Sequence, residues 1–223
     1  MSHNAEQLPP VRLAVVTGRH PFDVRGFAHL FRSLEGVDAY TQHMEDFSAD
    51  AAGLRDWYDV VVFYNMHSDT PTGEGAWYEA GMLAALERLG RTSQGILVLH
   101  HALLAFLHWP FWSELVGIED RHFGYHVGET ITAHIQQPEH PITRGLADWT
   151  MVDETYTMGD PAPDCEVLLT TEHPRSMRAL AWTRRHGEAP VLCLQSGHDN
   201  QTWSDETFRA VFSRGIHWLA GRL

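Results

Sequence analysis

The sequence contains no lysine, and basic residues of any kind are few. All sixteen are arginine, against twenty-nine aspartate and glutamate residues, and the formal net charge is −13 at pH 7 with histidine neutral. Such a surplus of negative charge repels the phosphate backbone of DNA or RNA. Nucleic acid is therefore not an expected partner.

Cysteine is scarce as well, since the chain has only Cys165 and Cys193. Their spacing matches neither a disulfide framework nor a thiolate zinc motif, and this usage is typical of a reducing compartment. Cys193 lies inside an apolar run and Cys165 lies outside any sharp turn of the elbow type, so neither is expected to be a nucleophile. We expect a cytoplasmic protein.

Long hydrophobic runs are missing. The longest, residues 102–112, is interrupted by His108 and Pro110 and is much shorter than the ~20 apolar residues that span a bilayer. The first ten residues are polar and lack the basic and apolar regions of a signal peptide. We expect residues 1–10 to form a flexible tail, residues 11–223 to form a single domain, and no membrane association.

The N-terminal half alternates short apolar runs with amphipathic segments, which is the pattern of parallel strands joined by helices. One run, Asp59 to Tyr64, is apolar without alternation, as a strand covered on both faces should be. Pro110 is expected to break or kink a helix that follows residue 99. Strands are predicted over residues 11–17, 37–42, 59–64 and 95–99, and helices over residues 74–89 and around the stripe of Phe27, Leu30, Phe31 and Leu34.

The second half begins with a change of rhythm. Residues 121–157 show polar alternation and turns, and we interpret them as an insertion near the site. Three further strands are predicted over residues 166–171, 178–183 and 190–195. Ser204 is the expected N-cap of a terminal helix. The predicted fold class is α/β, a three-layer sandwich with a mostly parallel sheet and helices on both faces.

Histidine residues follow four of the predicted strands. They are His20, His67, the pair His100 and His101, and His198. Ligands of open parallel sheets bind beyond the carboxyl ends of the strands, and imidazole can bind metal or move protons. If the backbone of the pair is extended, only one of the two side chains enters the crevice, and His100 is favoured. The alternative is that these are ordinary loop histidines that bond only to the backbone.

Other polar and aromatic residues could complete a site. Glu154 and Tyr156 share one face of a predicted strand and suit acid/base chemistry or a hard metal, unless that strand is an ordinary exposed edge. Asp199 could orient an imidazole or bind metal, but an aspartate before Asn200 is equally typical of a turn. Trp109 could stack on a sugar ring, although core packing explains it as well.

Several segments, in order, resemble the ThuA-like family, named for trehalose utilisation. They are GILVLHHALLAF, WPFWSELVG, HPITRGL, DETYT and GHDNQTWSDETFRAVFSRGIHWLAG, and together they span most of residues 95–221. The resemblance implies the class I glutamine amidotransferase-like fold, which is flavodoxin-like and agrees with the predicted strands and helices. It also implies a substrate class, carbohydrates such as disaccharides and their 3-keto derivatives.

The resemblance also indicates which activity to exclude. True amidotransferases carry a cysteine at the sharp turn after the strand that corresponds to residues 96–99, and a His-Glu pair after a late strand. Here residues 95–110 contain neither cysteine nor serine, so glutamine hydrolysis is not expected. His100 stands at the elbow, and His198 with Asp199 stands near the position of the pair.

Two functional hypotheses follow. The first is an enzyme that isomerises or hydrolyses a sugar or 3-keto-glycoside, with a divalent metal such as zinc or manganese on His100, His198 and Glu154, and with Asp199 as a further catalytic residue. The second is a non-catalytic sugar or metabolite sensor on the same fold. A homo-oligomer is an open alternative to a monomer, and no nucleotide cofactor is expected. The candidate substrate-binding residues are His20, His67, His101, Trp109, Tyr156 and Asn200.

Overall fold

The computed structural model describes residues 8–223 of the chain. The predicted tail lies outside the described residues up to residue 7, and residues 8–10 form neither helix nor strand. Five strands run parallel to one another. They are β1 (Val11–Gly18), β2 (Val37–His43), β3 (Val60–Asn65), β4 (Gly95–Leu99) and β9 (Ala189–Leu194).

Four more strands continue this sheet in antiparallel fashion. They are β5 (Gly124–Ile135), β6 (Trp149–Thr157), β7 (Glu166–Thr170) and β8 (Ala179–His186). The order across the sheet is β2-β1-β3-β4-β9-β8-β7-β5-β6. The predicted α/β class is confirmed. The sheet is mixed, with five mutually parallel strands and four strands joined by antiparallel pairings. Residues 121–157 contain the β5–β6 hairpin at one edge of this sheet.

Helices cover both faces of the sheet, as a three-layer sandwich requires. Phe27 and Phe212 belong to a core cluster on one face, and Phe47, Leu86 and Trp112 belong to a second cluster on the other. The helices of the first face are α1 (Val24–Arg32), α5 (Asn200–Trp203) and α6 (Glu206–Leu219), and those of the second are α2 (Met44–Ala49), α3 (Glu79–Leu86) and α4 (Pro110–Val116). Short 3-10 helices span Arg55–Trp57 and His100–Leu104.

Burial on both faces explains the unbroken apolar run of β3. Val60, Val62 and Tyr64 pack into the first core cluster, while Val61 and Phe63 pack into the second. Successive side chains of a strand point to opposite faces, so a strand covered by helices on both sides needs apolar residues throughout. The predicted interpretation of DVVVFY as such a strand is confirmed.

Three local predictions about helices are corrected. The helix predicted over residues 74–89 spans only Glu79–Leu86, because Gly75 has φ +108°, which a right-handed helix does not allow. Pro110 does not break a helix but begins α4, where its missing N–H costs nothing. Asp205, not Ser204, caps α6 by accepting from the backbone N–H of Phe208, because Ser204 ends α5.

None of the helices that residues 8–223 form combines the length and apolar character that crossing a bilayer demands.

Candidate functional site

His100 occupies the sharp turn at which β4 passes into the 3-10 helix. It is fully buried, and its φ of +53° is a left-handed conformation that non-glycine residues rarely adopt. Its Nδ1 lies 2.6 Å from the carbonyl oxygen of Gln195. Since a carbonyl only accepts, Nδ1 carries a proton, and Nε2 is the ring nitrogen that faces the other residues of the site. The fold thus strains the backbone and selects one tautomer at this residue.

Nε2 of His100 is one of three potential metal-ligand atoms that lie close together. The Nδ1 atom of His198 lies 3.1 Å from it, and Oε1 of Glu154 lies 3.4 Å from it and 3.5 Å from His198 Nδ1. We call these three residues the triad. His198 follows β9 and Glu154 lies within β6, so the triad joins the parallel and antiparallel halves of the sheet. Among residues 8–223, no other group of three or more histidine, cysteine, aspartate or glutamate residues brings its potential ligand atoms this close together.

The triad has the dimensions of a metal centre with an open side. Tetrahedral zinc with bonds of about 2.0–2.1 Å separates its ligand atoms by about 3.3–3.4 Å, close to the distances measured here. Two imidazoles and one carboxylate are the ligands of one known class of catalytic zinc site, which keeps its fourth position for water or substrate. The chemistry of the donor set and its spacing therefore fit a divalent cation.

Tyr156 places a hydroxyl beside the triad. Its oxygen lies 2.7 Å from His100 Nε2, within hydrogen-bond distance. The ring is 1% exposed, and burial raises its pKa well above the ordinary value, so the phenol keeps its proton. Glu154 and Tyr156 share one face of β6, as the spacing of two residues predicts.

The charges of the triad stabilise one another. Burial alone would raise the pKa of Glu154, but hydrogen bonds and charge interactions with His100 and His198 outweigh it and lower this pKa well below its usual range. The hydrogen bond to Glu154 in turn raises the pKa of His198. Glu154 is 8% exposed, and the side chain of His198 is 23% exposed, so solvent reaches the triad from the His198 side.

Asp153 holds the loop that carries His198. Its buried carboxylate accepts from the backbone N–H groups of Gly197 at 2.8 Å and His198 at 3.0 Å. From the opposite side, the Tyr64 hydroxyl donates to the His198 carbonyl at 2.9 Å. Asp153 was not predicted as a site residue, because its neighbours in β6 are largely polar and nothing in their pattern distinguishes it.

His101 and His20 form a second layer behind the triad. The backbone at residue 100 is not extended but begins a 3-10 helix, so the condition under which only one of the paired histidines would enter the crevice is not met. The His101 ring lies 5.6 Å from that of His100 and stacks on His20 at 4.1 Å. His20 lies 6.3 Å from the ring of His198. The turn that follows β1 and the loop that follows β9 are thus close to each other.

His67 lies apart from the triad, in a separate group at the ends of β2 and β3. Its Nδ1 accepts from the Asn65 amide at 3.2 Å, and its ring lies 6.2 Å from that of His43. His43 was not among the predicted site residues, although it directly follows the strand predicted over residues 37–42. The strand-end pattern that selected the other histidines applies to it equally.

Three further predicted site residues, Asp199, Asn200 and Trp109, make contacts outside the histidine groups. Asp199 caps α5, accepting from the backbone N–H of Gln201 at 2.8 Å, so the turn interpretation is the correct one. Asn200 is exposed, and its amide donates to Asp23 at 2.6 Å. Trp109 stacks on Phe111 with ring centroids 4.8 Å apart and packs against the second core cluster, which agrees with the core-packing alternative.

Both cysteines are buried, and their surroundings disfavour the thiolate form that a nucleophile needs. Cys193 lies within β9, and burial raises its pKa well above the ordinary value. Burial also raises the pKa of Cys165. Because His100 occupies the sharp turn after β4, that turn offers no thiolate for glutamine hydrolysis.

Burial of His67 makes stability depend on pH. Desolvation lowers its pKa from 6.5 to about 4. The unfolded chain therefore binds a proton first as the pH falls, and the free energy of unfolding should drop between these two values, by about 2–3 kcal/mol for this residue. Urea unfolding of His67→Asn, whose side-chain oxygen can replace Nδ1 toward Asn65, should show a correspondingly shallower loss. Equal pH slopes in both proteins would contradict this assignment.

Comparison with known proteins identifies the family to which the sequence is similar. The family model described as ThuA, trehalose utilisation, matches residues 24–219. No curated protein matches the chain at a significant level of sequence similarity.

Solved structures share the fold at low sequence identity. A ThuA-like protein from Parabacteroides merdae is 19% identical, with a TM-score of 0.74 over 95% of this chain and 90% of that one. A cytoplasmic protein from Salmonella typhimurium is 13% identical, with a TM-score of 0.67 over 93% and 99%. A glutamine amidotransferase from Thermotoga maritima is 9% identical, with a TM-score of 0.54 over 93% and 98%. With the family model covering most of its length, the chain belongs to the ThuA trehalose utilisation family and has the class I glutamine amidotransferase-like fold.

Proposed function

We propose that this protein is an enzyme of carbohydrate catabolism that isomerises or hydrolyses a sugar or 3-keto-glycoside at the triad. The observation that carries the proposal is the convergence of His100 Nε2, His198 Nδ1 and Glu154 Oε1 within 3.1–3.5 Å at the carboxyl ends of the strands. The family supplies the carbohydrate class.

The triad would hold a divalent cation, with zinc expected before manganese because two of the three ligands are imidazoles. When bound, such a cation polarises a carbonyl oxygen or activates a water molecule. The hydrogen bond from His100 Nδ1 to Gln195 keeps Nε2 available as a ligand. Asp153 keeps the His198 loop in place.

Tyr156 and His20 would manage the protons. A 3-keto sugar has an acidic C–H beside its carbonyl, and removal of that proton sends the electron pair to the carbonyl oxygen. His20 is the candidate base, since burial lowers its pKa and keeps the imidazole neutral and able to accept a proton, and its ring lies beside that of His198. The protonated Tyr156 hydroxyl is the candidate donor to the developing oxyanion, which gives an enediol. The isomerisation is complete when His20 returns its proton to the former carbonyl carbon and the hydroxyl on the first carbon gives its proton back to Tyr156, so that this carbon becomes the new carbonyl.

The proposal includes a cytoplasmic location. The free thiols support it, and a structural relative is described as a cytoplasmic protein.

The deciding experiment is the metal content of untagged protein, measured by elemental mass spectrometry. Wild type should carry about one zinc or manganese ion per chain, and both His100→Ala and His198→Ala should lose it. His29→Ala, which removes an exposed imidazole on α1, is the matched control and should keep the metal.

The variants should also lose turnover of 3-keto-glycosides while they remain folded. Absence of metal from wild type, even after incubation with divalent ions, would contradict the metal centre. Saturable sugar binding without turnover would instead favour the sensor hypothesis.

A further inference from the structure

The ring of His20, the candidate base, is not anchored through its buried nitrogen. Nδ1 of this residue is buried and has no hydrogen-bond partner among residues 8–223. A histidine side chain turns about two torsions, and the second of these has no sharp preference. A base must nevertheless face the proton that it removes. A contact other than a hydrogen bond to Nδ1 must therefore orient the ring.

That contact is the ring of His101. The two imidazoles are stacked, with centroids 4.1 Å apart and an angle of 26° between their planes. His101 is 1% exposed, and its Nε2 donates to the Tyr64 carbonyl oxygen at 3.3 Å. Its Nδ1 is buried without a partner among residues 8–223. His101 thus presents the face of its ring, and not a hydrogen-bonding atom, to His20.

His101 is itself fixed by a column of rings that begins in the core. The Tyr64 ring lies 4.1 Å from that of His101 and 4.4 Å from that of Phe27. Phe27 is 1% exposed and belongs to the first core cluster. The Tyr64 hydroxyl also donates to the His198 carbonyl, so the column contacts the loop that carries a member of the triad. Because protein interiors are close-packed, each ring of the column resists displacement of the next.

We infer that His101 is a positioning residue of the reaction, which holds the His20 imidazole by stacking at the place where that ring lies 6.3 Å from the ring of His198. The inference deepens the proposed function and rests on it, because His20 is a base only in that function. His101 takes no part in proton transfer and holds no metal. It supplies orientation, and a misplacement of about 1 Å costs a reaction on the order of 10²-fold in rate.

Two substitutions of His101 separate stacking from its other contacts. His101→Phe keeps an aromatic face toward His20, whereas His101→Leu keeps an apolar side chain without one. Both lose the hydrogen bond to the Tyr64 carbonyl, so a difference between them reports the aromatic face. Turnover is measured on methyl 3-keto-glucoside by proton NMR, which detects both an isomerised sugar and released methanol. We expect kcat to fall about 10–100-fold in His101→Leu at unchanged KM, and to stay within about threefold of wild type in His101→Phe.

A second readout follows His20 itself and needs no turnover. Trypsin cleaves after Arg19 and Arg25, and the released peptide HPFDVR contains His20 as its one histidine. Mass spectrometry of this peptide measures how fast diethyl pyrocarbonate modifies His20 in the folded protein. A ring released from its stack exposes the nitrogen that is buried in wild type. Modification should therefore be about 3–10-fold faster in His101→Leu than in wild type or His101→Phe.

His20→Ala shows whether His101 acts through His20. In that background His101→Leu should cost no further kcat, since the ring that it positions is gone. Metal content should equal that of wild type in both His101 variants.

Equal rates of modification in His101→Leu and His101→Phe would overturn the inference, and so would a loss of kcat that is the same with and without His20. Loss of metal from His101→Leu would also overturn it, because the damage would then lie at the triad. Failure of the proposed function would look different. Wild-type protein would then carry no metal and turn over no sugar, whatever the rates of modification.

Discussion

Glu154→Gln is expected to lower kcat/KM on the sugar substrate by on the order of 10²–10⁴-fold. Glutamine keeps the size of the side chain but removes the negative charge that lies 3.4 Å from His100 Nε2 and 3.5 Å from His198 Nδ1. Glu154 is the only anionic member of the triad. Metal affinity should therefore fall as well, by at least about 100-fold, because even outer-shell partners of metal ligands are worth about 10–100-fold.

Steady-state kinetics and competition with a chelator measure the two effects separately. Glu172→Gln is the matched control, since the side chain of Glu172 is 76% exposed and its ion pair with Arg178 is long, at 3.8 Å. It should change neither quantity by more than about twofold. Wild-type turnover together with full metal occupancy in Glu154→Gln would remove the carboxylate from the site.

Arg121→Leu is expected to lower the free energy of unfolding by about 3–5 kcal/mol. The arginine is 2% exposed, and its guanidinium donates to the backbone carbonyls of Leu103, Ala105, Phe106 and Leu107. It also donates to the Ser113 hydroxyl at 3.0 Å. Leucine would leave these buried acceptors without donors, and each unsatisfied group costs about 1–3 kcal/mol in a non-additive way.

Burial lowers the pKa of Arg121 to about 10, which still leaves it charged at neutral pH. The loss should appear in urea or guanidinium unfolding at constant slope. Arg178→Leu is the matched control, because its side chain is 59% exposed and its ion pair with Glu172 is long, at 3.8 Å. It should cost less than about 1 kcal/mol. A similarly small loss in Arg121→Leu would show that water replaces the guanidinium.

The same arginine connects stability with the site. Its acceptors belong to the segment that leads from the His100 turn to α4, and the backbone N–H of Phe106 donates to the His67 carbonyl at 2.6 Å. The segment thus connects the His100 turn with the His67 group. Arg121→Leu protein that remains folded should consequently bind metal more weakly.

The strands were predictable because their signal is local. A strand buried on both faces is apolar at nearly every position, as β3, β4 and β9 are. The predicted spans of these strands, and of β1 and the edge strand β2, agree with the structure to within about one residue. Helix ends were less predictable. Gly75 and Ser204 show why, since each end depends on a backbone conformation or a neighbouring helix that residue type alone does not specify.

The site was partly predictable for the same reason. Histidines after parallel strands must come to one edge of the sheet, so His20, His100 and His198 could be grouped before any coordinates were known. Arg121 could not be recognised in this way. Its partners are backbone carbonyls, which leave no trace in the sequence, and an isolated arginine is ordinarily a surface residue.

By itself the sequence determined the α/β class, the absence of a nucleophile at the elbow and the set of imidazoles at the strand ends, because each follows from residue type and order. Tertiary structure alone decided which atoms meet. Gln195 selects the tautomer of His100, Asp153 positions the His198 loop, and the antiparallel strand β6 brings Glu154 across to both histidines. These contacts join residues 44 to 95 positions apart, and such pairings arise only when the sheet is assembled.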